Sequence, residues 1–179
     1  MEANEAGELK EQAEKAAENA LRPVAFTMSV LAVLVAVTTV LGHRTHTEAV
    51  LFQNRATDQW NEYQAKKIRS YNTGLAKDIL SVATIADKDA AAKIEKAYAD
   101  HQVKWDADLK ADQEKAKALE ERVESAEERA KHFDLSEAML EIGLVITSVT
   151  LLTRSKIYWY LGFVFSIAGI ISAVSAFLL

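Results

Sequence analysis

The sequence predicts an all-α membrane protein with three transmembrane helices and a long antiparallel coiled-coil hairpin between the first and second spans. Two uncharged stretches, 24–42 and 157–179, would form helices of roughly 28 and 35 Å, enough to cross a hydrocarbon core about 30 Å thick. The section between them, 43–134, is densely charged with the two signs nearly balanced. With a single proline and six glycines in the chain, long helices are favoured over strands and turns.

The first 22 residues are predicted to form an acidic amphipathic helix, with glutamates concentrated near its start. Arg22-Pro23 is expected to interrupt it, because proline suits the first turn of a new helix. Transmembrane helix 1 is then assigned to 23–42. Small residues on one face of a span let helices approach in lipid, and this span carries Ala25, Ser29, Ala32, Ala36 and Thr39 at such spacing.

Residues 43–134 are predicted to form the helical hairpin, with its turn either at Asn72-Thr73-Gly74 or near 87–89. Arms that leave and re-enter one membrane face must match in length, which favours 87–89, where Asp87 can cap a helix. The predicted seam of the outward arm is Trp60, Gln64, Ile68, Tyr71, Leu75, Ile79 and Val82. The predicted seam of the return arm is Leu109, Asp112, Ala116, Leu119, Val123, Ala126, Ala130 and Phe133.

Transmembrane helix 2 is assigned to 135–153, a short loop to 154–156 and transmembrane helix 3 to 157–179. Arg154 and Lys156 indicate a cytoplasmic loop, and Tyr158, Trp159 and Tyr160 are typical of an interfacial aromatic belt. The N-terminus is therefore predicted in the cytoplasm, with the hairpin and the C-terminus outside. Span 3 has its own small-residue face, formed by Gly162, Ser166, Gly169, Ala173 and Ala176.

Glu141 is the one acid within the apolar part of the second span, about 20 Å along the helix from the cytoplasmic loop. An ionised carboxylate at that depth costs several kcal/mol unless it is paired, protonated or hydrated. Arg44 and His43 are the predicted partners, with Thr38 and Thr39 as hydrogen-bond donors. The alternative is that helix tilt or bilayer thinning brings Glu141 to headgroup water.

Other candidate sites are few. His43 and His46 have a spacing that can bind a metal, but without a third ligand they are interpreted as solvated residues. Trp60 and Tyr63 form either an interaction surface or part of the seam, and the seam is favoured. No catalytic residue and no cofactor site is predicted, and the absence of cysteine excludes disulfides and thiolate sites.

Two segments, 46–70 and 152–170, resemble a bacterial family called domain of unknown function 4337. The resemblance depends on Glu48, Ala49 and Gln53, on Asp58-Gln59-Trp60, on Tyr63-Gln64-Ala65-Lys66 and on the basic-aromatic loop. Asn61 and Glu62 depart from the more usual Ala-Tyr. The resemblance implies an acidic N-terminal helix, a first span, a charged helical section and two closing spans, but no activity. It also implies the bacterial cytoplasmic (inner) membrane, with the hairpin in the periplasm.

These patterns predict a non-enzymatic membrane structural or interaction protein, acting as a homo-oligomer or as an accessory subunit of a larger membrane complex. Its expected partners are the lipid bilayer and itself or other membrane proteins. The balanced charge of 43–134 gives no reason to expect nucleic acid. The alternative is a channel or transport component in which Glu141 shares a polar path with Thr147, Ser148 or Thr150.

Overall fold

The computed structural model describes residues 2–84 and 87–179, with side chains described at 19, 21–84 and 87–179. The described residues form three α-helices and no strand: α1 is Glu2–Val82, α2 is Lys88–Thr153 and α3 is Lys156–Leu178. Each helix contains an apolar stretch long enough to cross a membrane. The all-helical class and the three candidate spans predicted from the sequence are therefore confirmed.

Helix α1 passes through Pro23 without a break, contrary to the expected interruption at Arg22-Pro23. Proline removes one helix hydrogen bond, but strong helix formers flank it on both sides. The Pro23 carbonyl still accepts a hydrogen bond from the Thr27 hydroxyl at 2.8 Å. The amphipathic face expected within residues 1–22 lies mostly outside the described side chains.

The connection between α1 and α2 follows Val82 and ends at Asp87. Helix α1 continues through Asn72, Thr73 and Gly74. Asp87 Oδ1 accepts a hydrogen bond from the Ala90 N–H at 3.0 Å. This side chain therefore satisfies one of the amide groups that the start of a helix leaves without a partner.

The connection between α2 and α3 is made by Arg154 and Ser155. Arg154 has a φ of 56°, in the left-handed region, while its N–H still bonds to the Thr150 carbonyl at 2.8 Å. A left-handed residue at this place ends a helix by turning the chain out of its axis. Ser155 is extended and precedes the first turn of α3.

The chain divides into two compact units. The three-helix unit comprises Met1–Thr47 and Ala126–Leu179, and the two-helix unit comprises Glu48–Ser125. Buried side chains of the first include Val24, Leu31, Thr38, Thr45, Ala130, Phe133, Leu140, Thr147 and Thr150. Those of the second are Ala49, Ala56, Ser70, Thr73, Asp112, Ala116 and Val123. Small and hydroxyl side chains are frequent in both cores, so the helix backbones can lie close together.

All eight residues of the predicted return-arm seam are buried or half-buried. The predicted seam of the outward arm is wrong beyond Trp60, which is half-buried. Ile68, Tyr71, Leu75, Ile79 and Val82 are 55% to 85% exposed, and Gln64 is exposed as well. In this arm the buried positions of α1 carry small side chains instead: Ala49, Ala56, Ser70 and Thr73.

Candidate functional site

The contact between α2 and α3 is built on glycines. A Cβ added to Gly169 would lie 2.9 Å from Leu140 Cγ and 3.0 Å from the Ser136 carbonyl oxygen. A Cβ added to Gly162 would meet the Thr147 hydroxyl and would lie 2.9 Å from the Gly143 carbonyl oxygen. Larger residues at these positions would push the helices apart, so the close approach depends on glycine.

The small-residue face predicted on span 3 lies in this contact. Gly162, Ser166, Gly169 and Ala176 are buried and Ala173 is half-buried. The corresponding face on span 1 points elsewhere, because four of its five members are exposed, namely Ala25, Ser29, Ala32 and Ala36. Helix α1 buries Val24, Leu31 and Thr38 instead, and of the small-residue face of span 1 only Thr39 is half-buried.

Three hydroxyl groups in the α2 part of the three-helix unit are buried without a hydrogen-bond partner among the described residues: Ser136, Thr147 and Thr150. Their side chains are completely inaccessible to solvent. Ser172 of α3, by contrast, donates a hydrogen bond to the His132 carbonyl at 2.8 Å. The interface therefore gains its closeness from small size more than from hydrogen bonding between the two helices.

Polar contacts between described residues of α1 and α2 in this unit include those of Thr39 and His46. Thr39 Oγ1 donates a hydrogen bond to Glu137 Oε1 at 2.6 Å. His46 Nε2 lies 3.0 Å from Asp134 Oδ2 and donates to it when that nitrogen carries the proton. Thr39 was predicted to donate a hydrogen bond to Glu141, but in the structure it donates to Glu137, four residues earlier.

Glu141 lies on the outer side of the three-helix unit, in a groove of about 360 Å³ lined by Ala138, Ile142, Val145 and Ile146. Its side chain is exposed, and among the described residues it forms no hydrogen bond or ion pair. His43 and Arg44 are also exposed, so neither predicted partner pairs with it. Thr147 and Thr150 are buried on another face of α2, while Ser148 donates to the Val145 carbonyl.

The two-helix unit contains a buried carboxylate, Asp112, which is only 4% exposed. Lys66 Nζ lies 2.6 Å from Asp112 Oδ2, and Gln59 Nε2 donates to Asp112 Oδ1 at 3.3 Å. Lys66 also pairs with Glu62 on its own helix at 2.7 Å. The hydrogen bond to Asp112, followed by that to Glu62, raises the pKa of Lys66 well above its ordinary range.

Trp60 and Tyr63 pack edge to face, with ring centroids 5.4 Å apart, and both are half-buried. Trp60 Nε1 donates a hydrogen bond to Glu120 Oε1 at 2.8 Å. Lys67 lies over the Tyr63 ring, and its hydrogen bond to the Tyr63 hydroxyl raises its pKa. The aromatic pair therefore lies beside the contact with α2, as the seam interpretation expects.

The comparison with known families gives one match. The family model described as "Domain of unknown function (DUF4337)" covers residues 20–179. The chain belongs to this family. The match confirms the resemblance read from 46–70 and 152–170, and it includes most of each helix of this DUF4337 member. No curated protein and no solved structure matches the chain.

The remaining predicted site residues of this DUF4337 member are near the helix ends. Arg154, Lys156, Tyr158 and Tyr160 are exposed, whereas Trp159 is half-buried and donates a hydrogen bond to Thr27 Oγ1 at 3.3 Å. The part of the chain whose side chains are described contains no group of three His, Cys, Asp or Glu residues arranged to hold a metal ion. His46 contacts Asp134 instead.

Several contact residues of the DUF4337 member were not singled out by the sequence analysis: Asp134, Glu137, Gly143 and Glu120. Spacing contains a signal for two of them, since Asp134, Glu137 and Glu141 follow at intervals of three and four on one side of a helix. Gly143 and Thr147 are also four apart, the spacing of small residues in packed spans. Glu120 has no such signal, because it is one acid among many exposed charges of α2.

Proposed function

We propose that this DUF4337 member is a non-enzymatic multi-pass membrane protein that acts by assembly, as a homo-oligomer or as an accessory subunit of a larger membrane complex. The three apolar stretches support placement in a membrane. The glycine contacts of α2 and α3 support a bundle of spans, because small residues are the usual means of packing helices in lipid.

The proposed topology has the N-terminus in the bacterial cytoplasm, with the hairpin and the C-terminus in the periplasm. Two contacts support an antiparallel coiled coil: Phe52 lies 5.5 Å from the Arg122 guanidinium, whereas Gly74 faces Gln102. Gly74 comes after Phe52 in α1, whereas its neighbour Gln102 comes before Arg122 in α2, as expected for two helices that run antiparallel. Arg154 on the short connection and Lys156 at the start of α3 support a cytoplasmic loop.

Topology is testable because the chain contains no cysteine. Ala118→Cys should react with a membrane-impermeant maleimide in intact spheroplasts, whereas Ser155→Cys should react only after lysis. The reverse pattern would invert the proposed orientation. Equal labelling of both variants in intact spheroplasts would contradict three spans with this loop inside.

The observation that carries the assembly proposal is the position of Glu141. Its carboxylate is exposed on the outer side of the three-helix unit, and apolar side chains line the groove around it. In a bilayer this surface faces lipid unless another helix covers it, and a carboxylate at that depth is costly without a partner. A second protein surface against α2 would remove that cost.

The test is the mass of the full chain in lipid nanodiscs, compared among wild type, Glu141→Leu, Glu141→Gln and the exposed control Glu127→Leu. We expect wild type and the control to have a mass above that of one 19.8 kDa chain, and the Glu141→Leu variant to shift toward the single chain. Sequencing of co-purified proteins separates self-assembly from an accessory role. A monomeric wild type that brings no other protein with it would refute the proposal.

The transport alternative is less well supported by the geometry. Glu141 is exposed, while Thr147 and Thr150 are buried toward α3, so these groups do not line one continuous face of α2. A polar path through a single chain would require Glu141, Thr147 and Thr150 to line the same face of α2.

A further inference from the structure

Helix α1 of the two-helix unit has an outer side that differs from that of an ordinary solvated helix. Its buried positions follow a heptad repeat, in which Ala49, Ala56 and Ser70 share one position. On the opposite side, at the f position of the same heptad, lie Asn54, Asn61, Ile68, Leu75 and Val82, all exposed.

We call this side the outer strip. Its first half is polar but uncharged and consists of Asn54, Thr57, Asn61 and Gln64. Its second half is apolar and consists of Ile68, Tyr71, Leu75, Ile79 and Val82, each more than half exposed. The charged residues at the outward heptad positions between 50 and 82 are Asp58, beside the strip, and Asp78, which follows Leu75 at the next three-residue step; from Asn54 to Leu75 the strip itself carries no charge.

Helix α2 of the same unit shows what a solvated outer side looks like. Its exposed residues include Lys96, Asp100, Lys110 and Glu114, and these surround Val103. Outward positions of a coiled coil are ordinarily charged in this way. The two helices share one coiled-coil contact, yet only α1 has an uncharged outer side, which indicates that a further surface covers it.

The outer strip also has the spacing of a second seam. From Asn54 through Thr57, Asn61, Gln64 and Ile68 the steps alternate between three and four residues. Asparagines seven residues apart within such a seam set the register of parallel helices, because each amide can pair with the equivalent amide of the other helix.

We propose that the outer strip binds the outer strip of a second copy of this chain, so that two α1 helices lie parallel and in register. From Asn54 to Leu75 the two strips carry no charge and approach without like-charge repulsion, and their apolar residues cover each other. Parallel pairing follows if both copies are anchored in one bilayer by the apolar stretch that precedes the strip in α1. The inference therefore rests on the proposed membrane assembly, and it identifies a second copy of this chain as the partner.

The test uses single cysteines in the full-length, naturally cysteine-free chain in native membranes. Asn61→Cys, Ile68→Cys and Leu75→Cys lie at successive f positions and should each form disulfide-linked dimers under mild oxidation, because symmetric in-register helices bring equal residues together. Val103→Cys is the matched control, since Val103 is apolar and 75% exposed but lies on α2. We expect several-fold more dimer at the three strip positions than at the control.

A charge-swap experiment provides a second readout. Ile68→Glu should abolish cross-linking at Leu75→Cys through like-charge repulsion, and Val103→Glu should leave it unchanged. Mixing a chain that carries Ile68→Glu with one that carries Ile68→Lys should restore the cross-link between the two chains. Because these side chains are exposed within one copy, circular dichroism should show that helix content is retained.

Each result decides the question. Dimer yields at the strip no higher than at Val103→Cys would overturn the inference. If the nanodisc mass still exceeds one chain, assembly itself stands through another surface; if the mass is that of one chain and no other protein co-purifies, both proposals fail. Strip cysteines that are protected from maleimide but do not cross-link would show that a different partner covers the strip, and would likewise overturn it.

Discussion

The α2–α3 contact of the three-helix unit and the α1–α2 contact of the two-helix unit hold helices together in different ways. In the first, glycines at 143, 162 and 169 let backbone approach backbone, and three hydroxyls are buried without partners among the described residues. In the second, Asp112 receives Lys66 and Gln59, and Trp60 donates to Glu120.

Under the proposed placement of the three-helix unit in a membrane and of the two-helix unit in water, the difference follows from what each environment offers to a separated helix. In lipid, hiding apolar side chains gains little, so close packing and small residues dominate. In water, apolar and aromatic groups gain by leaving solvent, and a buried carboxylate such as Asp112 is kept only with charged and polar partners. The α2–α3 contact depends on shape, so a larger side chain should disrupt it. The α1–α2 contact depends on specific polar partners, so loss of a polar side chain should disrupt it.

The largest effect is expected for Gly162→Leu, because the new side chain would meet the Thr147 hydroxyl and the Gly143 backbone. Overpacking of this kind should destabilise the three-helix unit by about 3 kcal/mol or more. The measurement is the thermal midpoint in detergent followed by circular dichroism. Gly74→Ala is the matched control, since its Cβ would meet only Gln102 Nε2 at 4.0 Å, and it should stabilise by about 0.5 to 1 kcal/mol. Equal midpoints for both variants would contradict the glycine-dependent contact.

The next effect in size is expected for Asp112→Ala, which leaves Lys66 and Gln59 without their buried acceptor. Loss of these hydrogen bonds should destabilise the two-helix unit by about 2 kcal/mol. Amide hydrogen exchange should accelerate around 59–66 and 109–116, with little change in α3. The exposed Asp106→Ala provides the comparison, and an equal acceleration there would show that Asp112 has no special role.

Alkaline pH should weaken the Lys66–Asp112 pair of the two-helix unit. The hydrogen bond to Asp112 raises the pKa of Lys66, so protonated Lys66 contributes its full stabilisation below the ordinary lysine pKa of about 10.4. That contribution is lost as the pH rises through the raised value of the folded state. The thermal midpoint of Lys66→Met should be lower than that of wild type near neutrality, and the difference should narrow only above about pH 10.4. A difference that already narrows near neutral pH would contradict this assignment.

The smallest effect is expected for Thr150→Val, which replaces a buried hydroxyl lacking a partner among the described residues with a methyl group of similar size. Removal of an unpaired polar group should stabilise the three-helix unit by up to about 1 kcal/mol. The same thermal measurement applies. A clear loss of stability would show that the hydroxyl has a bonding partner in the membrane.

Individual residues show how much of the helix packing could be predicted from the sequence. The return-arm seam from Leu109 to Phe133 is readable because its apolar residues repeat while charges occupy the positions between them. The outward seam was misassigned because Ile68, Tyr71 and Leu75 repeat just as clearly, although all three are more than half exposed. Periodicity shows that a face is apolar and does not show which partner covers it.

The partner of Thr39 presents the same difficulty at the level of one side chain. In the sequence, Glu137 and Glu141 are one helical turn apart on α2, so either acid could lie opposite Thr39 of α1. A shift of one turn between the two helices would exchange one acid for the other. Only the packing of α1 against α2 sets that register, and in the structure Thr39 donates its hydrogen bond to Glu137.

The sequence alone determined the helical class, the three apolar stretches and the family, because length, charge segregation and composition are properties of the chain itself. Tertiary structure decided which side of α1 faces α2, that α3 packs on α2 through glycines, and that Glu141 is left on an outer surface. Those choices depend on rotation and register between helices, which arise from contacts between residues that are distant in the sequence.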